Sequence, residues 1–111
     1  MVHSKRKGYR TERKIKLIME QHGWKSIRAG ASLGEADIIC IKGGRCVLLQ
    51  IKSTKKPKFY YYDYMGSVLE GFPFFLVVDF GYGKIRVLPP QRTVCPADGE
   101  DLKTFILKFR E

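Results

Sequence analysis

Apolar residues in this chain recur first at helical and then at strand spacing. Ile15, Ile18 and Met19 repeat at helical intervals with Leu17 beside them, which predicts a helix from about Tyr9 to His22, with Gly23 as its stop. "WKSIRA" then reads as a short strand and "GASLGE" as a small-residue loop. The clearest element is "ADIICIKGGRCVLLQIKS", two β-branched and apolar runs flanking Gly43-Gly44, a favoured two-residue hairpin turn. "KKPK" breaks the pattern, and in "YYYDYMGSVLEGF" the stripe Tyr61, Met65, Val68 and Leu69 predicts a short helix. "FPFFLVVDF" and "KIRVLP" predict a second strand pair across "GYG". In "ADGEDLKTFILKFRE", Asp98 is placed to cap a helix whose Leu102, Phe105, Ile106 and Phe109 form an apolar face. A helix, several strands and a helix, without repeats or a linker, predict one small mixed α/β domain over residues 9–111, preceded by a flexible basic arm over 1–8.

A turn of Gly43 and Gly44 alone sets the register of the hairpin. Lys42 then faces Arg45, Ile41 faces Cys46, Ile39 faces Leu48 and, continuing outward, Asp37 faces Gln50. Side chains alternate along a strand, so Lys52 joins that face, while Cys40, Val47, Leu49 and Ile51 take the other. Asp37, Gln50 and Lys52 are thereby gathered at one end of the hairpin, an inference that a one-residue slip would destroy. Glu12, on the edge of the helical stripe, is a fourth candidate. Aimed toward a core it needs a partner or a metal; the alternative is a surface pair with Lys16 one turn on.

Charge changes the picture. Of 21 Lys and Arg, 15 lie within residues 1–58 against four carboxylates, a charge of +11; the remainder carries six against seven, or −1. A one-sided cationic surface with interleaved aromatics favours nucleic acid over a membrane. No apolar run approaches the roughly 20 residues that cross a bilayer, and the basic N-terminus lacks the apolar segment of a signal peptide, so a cytoplasmic protein is expected. Cys40, Cys46 and Cys95 lack zinc-ligand spacing; Cys40 and Cys46 lie in strand-like runs and read as small buried residues.

The clustered groups fit phosphodiester hydrolysis, which needs an activated water and stabilisation of charge at phosphorus. A hard divalent ion held by acidic oxygens supplies both, and a nearby lysine orients the nucleophile or balances phosphate charge. On that reading Asp37 ligates metal, Glu12 binds it directly or through water, and Lys52 works at the phosphate.

"RKGYRTERKI", "IRAGASLGEADIICIK" and "LLQIKSTKK" resemble, in that order, the motif blocks of archaeal Holliday junction resolvases of the PD-(D/E)xK nuclease superfamily. The resemblance covers roughly residues 5–56. It implies a restriction-endonuclease-like α/β fold, a mixed central sheet flanked by helices. It also implies a Mg²⁺-dependent endonuclease, with Mn²⁺ as a substitute ion, that acts as a homodimer on four-way DNA junctions. Glu12 matches the family's helix glutamate, Asp37 its metal-binding aspartate, Lys52 the motif lysine and Ser32 a loop serine near the active site. Gln50 departs from the pattern, standing where the family has a metal-binding glutamate. Its amide oxygen can still ligate Mg²⁺ but brings no charge, and Glu35 is a candidate substitute carboxylate.

Lys5, Arg6, Lys7, Arg10 and Arg13 on the arm and first turn, and Lys55, Lys56 and Lys58 beyond the catalytic strand, are candidate phosphate contacts. Tyr60, Tyr61, Tyr62 and Tyr64 read more readily as packing than as base-stacking residues, and residues 60–75 are the best candidate for a dimer patch. Three functions remain open: a junction-resolving endonuclease, a junction-binding module that has lost catalysis at position 50, and a related nuclease acting on duplex or flap DNA.

Overall fold

A computed structural model describes residues 2–29 and 36–109, with side chains from Arg10 onward. Ser32 and Glu35 fall outside the described residues, as do the side chains of Lys5, Arg6 and Lys7.

Helix α1 spans Val2–Gln21. Its backbone begins seven residues before the predicted start, because residues 2–8 contain no apolar repeat that could have marked it. Ile15 and Met19 are fully buried, with Ile18 packed against them, as the spacing requires. The helix ends where expected, in a Schellman motif: the Gly23 N–H donates to the Glu20 carbonyl at 3.1 Å and the Trp24 N–H to that of Met19, also at 3.1 Å. Trp24 and Met19 then meet in the core.

Strands β1 (Lys25–Arg28), β2 (Ile38–Lys42) and β3 (Arg45–Ser53) form an antiparallel meander. Gly43 and Gly44 have φ of 55° and 79°, the values a two-residue hairpin turn demands. The register pairs Lys42 with Arg45, Ile41 with Cys46 and Ile39 with Leu48, as the turn dictated. Strand β3 also pairs in parallel with β6 (Phe72–Asp79), which continues antiparallel to β7 (Ile85–Leu88) and then β9 (Glu100–Asp101), giving the order β1-β2-β3-β6-β7-β9.

Both helices cover one face of this mixed sheet. Val47, Leu49, Ile51, Val77 and Val87 meet Ile15 and Met19 of α1 and Leu102, Phe105 and Ile106 of α2 (Leu102–Lys108). Each such aliphatic or aromatic side chain contributes about 1.5–3 kcal/mol by leaving water. Cys40 lies in this core, where burial pushes its thiol up to about 11, whereas Cys46 is only partly covered. The opposite face is covered by Tyr61 and by Val94 of a two-stranded ribbon, β4 (Phe59–Tyr60) with β8 (Thr93–Val94), packed on Leu76, Val78 and Leu88.

Two expected features are corrected. The helix predicted on the stripe Tyr61, Met65, Val68 and Leu69 does not form. Residues 54–71 cross from β3 to the parallel β6 in extended and irregular backbone, with Val68–Leu69 as a short strand, β5, folded back on Phe72 and Pro73. Tyr61 is buried, but Met65 and Val68 are exposed, so the apparent stripe is not one face. The turn residues Glu70 and Gly71, at φ 54° and 86°, favour the hairpin over a helix. At the C-terminal helix the cap is Asp101, whose Oδ2 accepts the Lys103 N–H at 3.0 Å, not Asp98. Asp98 instead closes a turn by accepting the Cys95 N–H at 2.7 Å. Glu100 and Asp101 are drawn into the sheet opposite Val87 and Arg86, which delays the helix.

Candidate active site

The end of the hairpin away from its turn gathers charged groups from three directions. Past the Ile38–Leu49 pair, the Asp37 N–H donates to the Leu49 carbonyl at 2.8 Å, while its carbonyl accepts from Ala29 at 3.0 Å. The Asp37 carboxylate turns back onto β3, where Oδ2 accepts the Ile51 N–H at 2.7 Å. Asp37 is therefore displaced from the direct opposition to Gln50 that a regular ladder would give. Its carboxylate occupies the place of a ladder acceptor, which anchors one oxygen to the backbone.

Burial raises the Asp37 carboxyl above its ordinary value, against the opposing effects of the Ile51 N–H, Lys52 and Arg28; Asp63 adds to the rise. Glu12 approaches from α1. Its carboxyl is also raised, first by burial and then by the charge of Asp37, while Arg28 works the other way. The Arg28 Nε lies 3.4 Å from Glu12 Oε1. Lys16, the alternative partner for Glu12, instead bridges Glu20 at 2.7 Å. Two partly buried carboxylates, Glu12 raised in part by the charge of Asp37, are thus held near Arg28 and Lys52.

Gln50 and Lys52 point away from the helices and are met by the crossover. The Tyr61 hydroxyl donates to Gln50 Oε1; both side chains are buried, at 1% and 7% exposure. Two residues on, Asp63 Oδ2 lies 3.2 Å from Lys52 Nζ. Arg28, Tyr61 and Asp63 are site neighbours that sequence reasoning missed. Tyr61 and Asp63 were hidden in a segment read as a helix, and Arg28 in a strand without an obvious partner.

A groove of about 280 Å³ lined by Glu12, Arg13, Lys16, Leu17 and Arg28 runs along α1 beside these carboxylates. Arg10 and Arg13 are exposed on the helix, and Lys55, Lys56 and Lys58 are exposed just beyond β3. Exposed basic residues therefore accompany Glu12 along α1 and follow Lys52 at the exit of β3. Among the described residues, no three His, Cys, Asp or Glu side chains form a ready cage for a metal ion. The donor chemistry still suits a hard divalent cation that keeps several of its own waters: two crowded carboxylates whose mutual repulsion such an ion would relieve. Among the described residues, no helix is long and apolar enough to cross a membrane.

Three comparisons relate the chain to known proteins. The sequence model of a family described as archaeal Holliday junction resolvase (Hjc) matches residues 3–65. The crossover junction endodeoxyribonuclease Hjc of Methanocaldococcus jannaschii is 37% identical over 60 residues, 54% of this chain and 44% of that protein. The chain thus spans less than half the length of this curated relative. The structure of Archaeoglobus fulgidus Hjc, a Holliday junction resolvase from an archaeal hyperthermophile, superposes with a TM-score of 0.72 at 16% identity, covering 95% of this chain and 99% of that one. That likeness establishes the same fold.

Proposed function

The chain belongs to the archaeal Holliday junction resolvase family, and from that premise we propose that it is a structure-selective endodeoxyribonuclease that cuts four-way DNA junctions. The observation that carries the reading is the pair Glu12 and Asp37, both raised chiefly by burial, Glu12 also by the charge of Asp37, with Lys52 within electrostatic reach of Asp37. Nucleases of this family use divalent metal ions, and Mg²⁺ is the ion we propose here. When bound, it would supply Lewis-acid stabilisation of charge on the phosphate and a more acidic water.

The protein's own groups divide the remaining work. Asp37, with one oxygen fixed by the Ile51 N–H, and Glu12 would hold the ion. Gln50 adds a neutral oxygen: the Tyr61 hydroxyl uses one of its two lone pairs and leaves the second for a ligand. Lys52 balances the phosphate charge and orients the attacking water; for this it must exchange Asp63 for substrate. Ser32, which lies outside the described residues, is added to the proposed site on the resemblance of its motif alone. Arg10, Arg13, Lys55, Lys56 and Lys58, with Lys5, Arg6 and Lys7 on the N-terminal segment, follow the DNA backbone, which positions a junction without reading sequence.

A homodimer would present two such sites for paired cuts in opposite strands. The exposed strip Tyr60, Tyr62, Met65, Val68 and Phe72 supports this as the patch that a second copy covers. One observation favours a second reading, a junction-binding module that does not cut: the uncharged Gln50 is already engaged by Tyr61. Cleavage of a labelled four-way junction and its matched duplex in Mg²⁺, compared with Gln50→Glu, decides between them. Selective cutting by the parent supports the nuclease. Cutting by Gln50→Glu alone identifies a binding module on an intact nuclease scaffold, and cutting by neither while the junction is still bound rejects the nuclease reading.

A further inference from the structure

The turn between β6 and β7 places an aromatic ring where it gains nothing from folding. Tyr82 has φ 53° between Gly81 at 90° and Gly83 at 77°. A bulky residue at positive φ is costly, and such strain concentrates at functional positions. Its side chain is fully exposed, so burial does not offset that cost.

The turn is nevertheless firmly held. The Phe80 N–H donates to the Lys84 carbonyl at 2.8 Å, and the Lys84 N–H to the Gly81 carbonyl at 3.0 Å. The Gly81 N–H donates to Asp79 Oδ1 at 2.8 Å. Asp79 is buried and has no role in the proposed hydrolysis. Its Oδ2 lies 2.5 Å from Lys14 Nζ on α1, the helix that carries Glu12. Its carbonyl accepts the Thr54 N–H at 3.0 Å, two residues beyond Lys52. One residue therefore fastens the Tyr82 turn to the helix and to the exit of the strand that bear the proposed active site. Beside the turn lies a concavity of about 380 Å³ lined by Lys55, Phe80, Gly81 and Tyr82. Its walls are aromatic and its rim carries one exposed ammonium, at the start of the Lys55, Lys56 and Lys58 track.

We propose that Tyr82 and Lys55 form a subsite for one unpaired nucleotide of the DNA substrate, the ring stacking on the base and the ammonium taking its phosphate. The proposal rests on the junction reading and deepens it. Bases in a continuous duplex have both faces covered by their neighbours, whereas a branch point can release one to an aromatic platform. Junction and duplex would then be told apart at this turn, while the basic track binds both.

The test is binding by the full chain, in EDTA so that no cleavage intervenes, to three labelled probes: a four-way junction, its matched linear duplex and a dT oligonucleotide. Tyr82→Ala should weaken binding to the junction and to dT about tenfold while duplex affinity stays within about twofold. Tyr82→Phe should keep the parental values. Tyr82→Gly, which relieves the backbone, should bind like Tyr82→Ala without melting lower. Equal losses on all three probes, or no loss on any, would overturn the subsite. If the parent bound the junction no better than duplex but Tyr82→Ala still lost dT, the subsite would stand and the junction reading would fall.

Discussion

The hairpin of β2 and β3 and the crossover from β3 to β6 meet at the same few atoms, yet they are built by different kinds of interaction. The hairpin is local: two glycines make the turn, and its far end, just past the Ile38–Leu49 pair, brings Asp37 onto the part of β3 that bears Gln50 and Lys52. The crossover is held from a distance, through β4 on β8, the Tyr61 N–H on the Arg92 carbonyl at 2.8 Å, and the burial of Tyr61 against Leu76 and Val78. The hairpin supplies the groups suited to chemistry. The crossover conditions them, by placing a hydroxyl on Gln50 and a carboxylate on Lys52. What a motif strand can do therefore depends on a segment that the motif does not include.

Substitution on the hairpin side should have the largest effect. Asp37→Asn is expected to lower metal-dependent junction cleavage on the order of 10²–10³-fold, while the junction Kd changes by less than about threefold. Single-turnover cleavage and anisotropy on the same junction measure both, and unchanged cleavage would reject the site. The same variant should melt slightly higher than the parent without metal, by at most a few degrees, because it removes a charge that burial penalises but that solvent still partly screens. The sign of the pH dependence follows. Glu12 and Asp37 hold their protons more tightly in the folded chain than in the unfolded one. Their contribution to stability is therefore fully present below the ordinary carboxylate range and lost as pH rises through the raised values. Melting with and without Mg²⁺ across that interval should show the loss, and show it reduced when the ion is bound.

On the crossover side, Tyr61→Phe leaves the ring buried but strands the Gln50 oxygen. A cost of about 1–2 kcal/mol is expected, read as a fall in Tm of roughly 4–8 °C per kcal/mol for a domain of this size. A neutral result would mean that the hydroxyl contact does not anchor the segment. Asp63→Asn should have the smallest effect. Freeing Lys52 from its half-exposed partner should tighten junction binding about two- to threefold at low salt, and the gain should shrink at higher salt. Weaker binding would instead show that Asp63 aids the substrate complex.

What could be read directly from the sequence depended on short-range physics. The helix stop at Gly23, the Gly43-Gly44 turn, the hairpin register and the split of its side chains between two faces all follow from neighbours a few residues apart. So did the strand pair around "GYG" and the buried stripe Leu102, Phe105 and Ile106. The tertiary structure alone decided that residues 54–71 would cross as extended chain, because the burial of Tyr61 and the pairing of β4 with β8 depend on residues some thirty positions away. It also moved the helix cap from Asp98 to Asp101, since the pairing of β9 with β7 claims Glu100 and Asp101 first. The carboxylates of the site were legible one by one. Their burial, their mutual repulsion and the partners Arg28, Tyr61 and Asp63 were not, because an environment is a sum over elements distant in the chain and exists only once they pack.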